Sequence, residues 1–282
     1  NVQEKNLLGN GQTLGFRWDF GGTSNLSLNF KEPRLFNTKT SFGLNFYDRV
    51  SQREEDEYTE KRQGGSISLG HPLSDTWDGL LKFKLENFQQ DYFDDTVDDV
   101  SGHTRSMILQ GHQNTSNHPF NPTDGSINTI SLEYAGPVLG GDQEFTKYNL
   151  ETRRFFKGFK EDHAWALRLK TGFGSGDIPE LEKYHLGGSE SLRCYKSYEF
   201  NGDDMLLMNL EYRFPIVDKF IGVAFVDAGD VKDTFDDIRL DQLYHSYGLG
   251  VRMNTPLGQI RLDYGWNDDG IGMPQFSIGQ TF

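Results

Sequence analysis

The stretch YGLGVRMNT, Tyr247 to Thr255, decides the fold. Tyr247, Leu249, Val251 and Met253 share one side, and Gly248, Gly250, Arg252 and Asn254 share the other. A period of two is strand geometry, because successive side chains leave a strand on opposite faces. The next segment, IRLDYGW, repeats the pattern with Ile260, Leu262, Tyr264 and Trp266 set against Arg261, Asp263 and Gly265. Further out, Leu14, Phe16, Trp18 and Phe20 oppose Gly15, Arg17 and Asp19, and Phe42, Leu44 and Phe46 alternate in the same way. Leu81, Phe83 and Leu85 stand against Lys82, Lys84 and Glu86, and Trp165, Leu167 and Leu169 against Arg168 and Lys170. Leu206, Met208, Leu210, Tyr212 and Phe214 complete the series.

A soluble sandwich also alternates, with its polar face in water and its apolar face on a second sheet. Two features tilt against it. The polar faces mix opposite charges with glycine, as a crowded lumen would, and the apolar faces often end in Trp, Tyr or Phe, as membrane-interface girdles do. The expected fold is therefore all-β, a transmembrane antiparallel β-barrel. About fourteen segments fit, near 12–20, 24–31, 40–50, 61–70, 79–92, 104–115, 126–136, 144–156, 164–174, 203–214, 219–229, 245–255, 259–266 and 275–282. Their connections alternate in length. HPLSD at 71–75, FPIVD at 214–218 and TPLG at 255–258 are tight; REEDEYTE at 53–60, DYFDDTVDD at 91–99 and DAGDVKDTFDD at 227–237 read as long acidic loops. An even strand number puts both termini on one side, with short periplasmic turns and longer outer loops. No linker or low-complexity run divides residues 1–282, which read as a single barrel domain.

Composition bounds the function. The 282 residues carry 42 acidic and 28 basic side chains, a net charge of -14, which argues against a nucleic-acid partner because phosphate neutralisation needs clustered Lys and Arg. The single cysteine excludes an internal disulfide framework and a Cys-based zinc site. No run approaches the roughly 20 apolar residues of a membrane helix, which leaves a barrel untouched. A start at Asn1, with neither Met nor a signal peptide, reads as a mature or trimmed form. The seven histidines, at 71, 103, 112, 118, 163, 185 and 245, are scattered, and DDTVDD and NDDGIG match calcium loops only in acidity. No catalytic residue, metal site or cofactor is expected, and the chain reads as no enzyme.

Several motifs then occur in one order: NLLGNGQTLGF at 6–16, FNPTDGS at 120–126, GGSESLRCY at 187–195, NLEYRFPI at 209–216, FVDAGDV at 225–231, TPLGQIRLDYG at 255–265 and the terminal FSIGQTF. Together they resemble the barrel of the BamA superfamily of outer-membrane assembly and polypeptide-translocation factors. The resemblance implies that the long sixth extracellular loop folds back into the barrel, where its motif arginine, here Arg193, contacts acidic groups of the inner wall. The partners it implies are Glu211, which the alternation places on the lumen face, and Asp227, with Gly187, Gly188 and Tyr195 shaping the loop. A planar guanidinium suits that task because it binds carboxylates bidentately. Cys194 departs from the family pattern, which has glycine there; a Cβ is costly if the position needs a positive φ.

The resemblance carries further expectations. In the assembly-factor branch two strands and soluble periplasmic repeats precede NLLGNGQTLGF, so the chain reads as about fourteen strands of a sixteen-stranded barrel. Closure of the fourteen alone would require Leu14–Phe20 to pair with Gln275–Phe282. The implied function is insertion of outer-membrane proteins through a lateral seam between first and last strands, with Phe276, Gly279 and Phe282 on the gate strand. The implied partners are outer-membrane lipids, nascent β-barrel proteins and periplasmic accessory lipoproteins, and the implied place is a bacterial-type outer membrane with periplasmic termini. A secretion translocator of the same superfamily and a passive porin are the alternatives.

Overall fold

Strands dominate because each segment pairs with its chain neighbour through a short antiparallel ladder, leaving few backbone groups unbonded. The computed structural model describes residues 2–7, 9–19, 24–53, 58–94, 96–119, 121–217, 219–255 and 258–279. In chain order the strands are β1 (Val2–Leu7), β2 (Gln12–Asp19), β3 (Ser24–Glu32), β4 (Ser41–Arg53), β5 (Tyr58–Pro72), β6 (Trp77–Tyr92), β7 (Val100–Asn114), β8 (Gly125–Ala135) and β9 (Phe145–Lys157). Then follow β10 (Ala164–Gly176), β11 (Tyr184–Leu186), β12 (Phe200–Gly202), β13 (Asp204–Val217), β14 (Phe220–Lys232), β15 (Tyr244–Thr255), β16 (Gly258–Asn267) and β17 (Gly272–Ile278). Fifteen form one sheet in sequence order, with β10 followed directly by β13; β11 and β12 pair separately. Among the described residues no helix is long and apolar enough to cross a membrane.

All fourteen expected segments coincide with strands of the large sheet. The fifteenth, β1, pairs with β2 from Val2↔Phe16 to Leu7↔Gln12. It escaped the pattern reading because VQEKNL has no apolar alternation. Both edges of β2 are thus occupied, by β1 and by β3, which leaves none for pairing with Gln275–Phe282. A second correction concerns the acidic loops. β14 runs to Lys232 and β6 to Tyr92, and β5 starts at Tyr58, so parts of all three stretches are strand. Where a strand is polar on both faces, nothing in the sequence marks its period. Phe20, Asp218, Pro256, Leu257 and residues 54–57 lie outside the described residues.

The chain divides into two compact units. The first comprises Asn1–Gly111 and Ser131–Thr146. There Phe46, Ile67 and Leu85 are exposed on one face, while the other face buries Glu60 and Glu86. Tyr47 donates its hydroxyl to Glu86 at 2.5 Å, and Arg62 is ion-paired with both Glu60 and Glu86. The second unit comprises His112–Ile130 and Lys147–Phe282. Its strands expose Leu210, Val226, Leu249, Leu262 and Phe276 on one face. Asn209, Glu211, Arg213, Asp227, Arg252, Arg261 and Asp263 are buried on the other. Exposed apolar and buried charged faces invert the soluble pattern, and suit a sheet whose outer solvent is hydrocarbon.

Candidate functional site

Within the second unit the segment linking β10 to β13 folds onto the buried polar face. Its base is the β11–β12 ladder, Tyr184↔Gly202 to Leu186↔Phe200. Tyr184, Leu186, Leu192 and Tyr195 pack with Met205, Leu207 and Val231 into one apolar cluster. Two glycines then turn the chain. Gly187 and Gly188 have φ of 110° and 91°, and a Cβ on Gly187 would collide with the Lys196 carbonyl oxygen. Ser191 closes the turn, its hydroxyl accepting from the Gly187 N–H and donating to the Gly187 carbonyl, each at 3.0 Å.

This turn aims Arg193 at the wall. Arg193 is 1% exposed, and its guanidinium donates from Nε and Nη2 to the two carboxylate oxygens of Asp227, both at 2.7 Å. Nη1 donates to Glu211 Oε1 at 2.7 Å and lies 3.8 Å from Asp263 Oδ2. The Arg193 backbone N–H adds a bond to Asp227 Oδ2 at 3.2 Å. Burial opposes the charged form, yet Asp227, Glu211 and Asp263 outweigh it and hold the guanidinium's pKa above its ordinary value.

Strand register explains the fit. One row crosses the sheet through Glu211, Phe225, Gly248, Gly265 and Met273. The Arg193 guanidinium lies 3.7 Å from the centroid of the Phe225 ring, a cation–π stack in a dry setting. The ring in turn lies over Gly248 and Gly265, where a Cβ on either would approach its edge to 2.8 or 2.9 Å. The neighbouring row places Asn209 beside Asp227, and Asn209 donates to Asp227 Oδ1 at 2.8 Å. Glu211 also receives Arg213 at 2.8 Å and Arg252 at 3.1 Å, and Arg252 spans to Asp263 at 2.7 Å.

The wall also grips the turn's backbone. Arg261 donates to the Ser189 carbonyl at 3.2 Å, Arg168 to that of Glu190 at 3.0 Å and Asn209 to that of Ser191 at 2.8 Å. On the far side, the Tyr195 hydroxyl shares its one hydrogen between Asp268 at 2.6 Å and the His245 carbonyl at 3.1 Å. Gln275 of β17 donates to the Tyr195 carbonyl at 3.1 Å.

Cys194 takes the strained conformation that its position demands, with φ of 67°. Its side chain is buried with Val223 and Phe225, with Met273 packed alongside, and burial pushes the thiol up to about 11. The structure thus brings together the loop residues Arg193, Gly187, Gly188 and Tyr195 and the wall residues Glu211 and Asp227 named from the sequence. Sequence reasoning missed Asp263, Arg252, Arg261 and Phe225 as members of the cluster. The signal was present: each shares the polar face of its strand, and Phe225 is the large aromatic in phase with Asp227. Of the expected gate residues, Phe276 points outward at 60% exposure, and Gly279, with φ of 128°, donates its N–H to Gln259 at 2.8 Å. Phe282 lies outside the described residues.

Residues 6–282 match the Omp85 superfamily domain. The chain belongs to the Omp85 superfamily. It is 26% identical over its whole length to the outer membrane protein assembly factor BamA of Nitratidesulfovibrio vulgaris, of which it spans 39%. Among solved structures, BamA from Haemophilus ducreyi lacking POTRA domains 1–3 superposes on 98% of this chain and 64% of its own, with a TM-score of 0.82 at 17% identity. CdiB from Acinetobacter baumannii covers 95% of this chain and 53% of its own at TM-score 0.63 and 15% identity. This Omp85 chain accordingly has the fold of an antiparallel transmembrane β-barrel, of the kind that resides in an outer membrane.

Proposed function

We propose that this chain is the membrane-embedded part of an outer-membrane protein assembly factor that works through a lateral seam at β17. The observation that carries the reading is the docked loop in a chain aligned end to end with an assembly factor: Arg193 is locked on Asp227 and Glu211, and the same loop is bonded to β17 through Gln275. A loop so held keeps the polar face filled, which supports a working part over an open pore. Its bond to β17 ties loop position to the strand at which the seam would open. Better superposition on BamA than on CdiB supports the assembly branch.

In this reading, opening the seam leaves backbone N–H and C=O groups of β17 unpaired in hydrocarbon, where each costs several kcal/mol. An incoming strand of a nascent barrel satisfies them by β-augmentation. No bond-making chemistry and no cofactor is involved. The end of β17 lies on the periplasmic side, where accessory lipoproteins dock, and outer-membrane lipids surround the apolar face. The expectation of both termini there is corrected by the fifteenth strand, since an odd number of antiparallel strands puts the start of β1 on the opposite side. The decisive experiment ties β17 by a disulfide to the strand on its outer edge in the full-length protein. Insertion of an unfolded outer-membrane protein into liposomes should stop and return on reduction; insertion that continues while the bond is intact refutes the seam.

A further inference from the structure

The hydrogen-bond parity of β17 carries information about the seam. Gly279 N–H donates to the Gln259 carbonyl at 2.8 Å, and Asn267 N–H donates to that of Ile271 at 3.2 Å. Both bonds fall on the register that pairs Ile260 with Ile278 and Tyr264 with Pro274. In an antiparallel ladder, alternate residues bond to opposite edges. The odd-numbered residues from 271 to 279 therefore bond to β16, and Gly272, Pro274, Phe276 and Ile278 turn their backbone groups to the other edge. Pro274 has no N–H to offer there. On the far side of the run, Gly279 leaves the extended conformation, with φ of 128°.

We infer that Pro274 sets the length of strand pairing at the seam: an incoming β-strand is hydrogen-bonded along Phe276–Ile278 and loses its ladder at residue 274. The inference rests on the seam reading and specifies the partner that the edge fits. An acceptor placed opposite Pro274 stays unpaired at the level of the membrane, which is expensive. The edge therefore favours an antiparallel strand that ends, bends or turns away at that height. Proline on an outermost strand is also where a sheet tolerates it, since the missing donor faces away from the established ladder. Phe276 and Ile278, both well exposed on the outer face, offer the partner an apolar flank in the same two-residue run.

Pro274→Ala and Pro274→Val each restore the N–H, and Val adds strand preference. Both variants of the full-length protein, in lipid nanodiscs, would be measured for amide exchange along β17 and for single-turnover insertion of an unfolded outer-membrane protein, beside the disulfide-locked variant. The expected result is a protected amide at 274 and insertion slowed about fivefold, the effect of one added hydrogen bond on the opening equilibrium. An amide at 274 that exchanges like a loop amide, with insertion at the parental rate and the locked variant inactive, overturns the inference and leaves the seam standing. If the locked variant still inserts, the seam reading falls and the inference falls with it.

Discussion

Replacing Arg193 with alanine should release the loop from the wall, and the structure sets the size of the effect. Asp227 is 0% exposed, and Arg193 supplies both of its ion-pair contacts among the described residues. Glu211 keeps Arg213 and Arg252, and Asp263 keeps Arg252 and Arg261. The loss therefore concentrates on Asp227, left with Asn209 and one backbone N–H. Removing one partner of a buried pair costs about 3–5 kcal/mol, because the other charge remains in a dry site. At about 1.4 kcal/mol per tenfold, the undocked loop should become about a hundred- to a few-thousand-fold more populated. Proteinase K cleavage within residues 177–203 of the full-length protein reads that population directly. Asp227→Asn in the same background should recover part of the loss, because a buried amide is cheaper than an unpaired carboxylate. Cleavage of Arg193→Ala at the parental rate, with a double-mutant coupling below about 0.5 kcal/mol, would refute the reasoning.

Three further outcomes follow from the same geometry. Cys194 should resist maleimide at pH 8, where a thiol pushed up to about 11 is only about one part in a thousand thiolate, and should label rapidly in Arg193→Ala; fast labelling of the parent would contradict the burial. Gly265→Ala puts a Cβ against the Tyr247 carbonyl, 2.9 Å from the Cys194 sulfur and 2.9 Å from the Phe225 ring, and should cost about 1–3 kcal/mol in thermal unfolding. Tyr195→Phe deletes the bonds to Asp268 and the His245 carbonyl, and should raise loop cleavage about tenfold, since a hydrogen bond to a charged group is worth about 1.5–3 kcal/mol.

The fold was legible wherever a strand crosses the apolar zone, since lipid on one side and charge on the other write a period of two. IRLDYGW in β16 shows this in seven residues. Legibility ended where the alternation lapses. VQEKNL of β1 has no apolar period and is held extended by its ladder to β2. The acidic residues at the ends of β6 and β14 mask a strand whose apolar contacts, Tyr92 on Tyr58 and Val231 in the cluster with Leu186, come from distant segments. The site was legible in part for a related reason. Arg193, Glu211 and Asp227 were found through motif order, and alternation gave Glu211 its face. The way Phe225 reaches Arg193 across Gly248 and Gly265 depends on register between strands that are distant in sequence, which no single segment encodes.

The wall holds residues 189–191 by their carbonyl oxygens, through Arg168, Asn209 and Arg261. Grip by a main-chain oxygen is indifferent to the side chain carried at Ser189, whereas Glu190 also meets Arg261 through its carboxylate at 3.4 Å. Position 189 can therefore drift in identity while the three gripping residues stay fixed, so variation between related barrels would gather there and spare the hand that holds it.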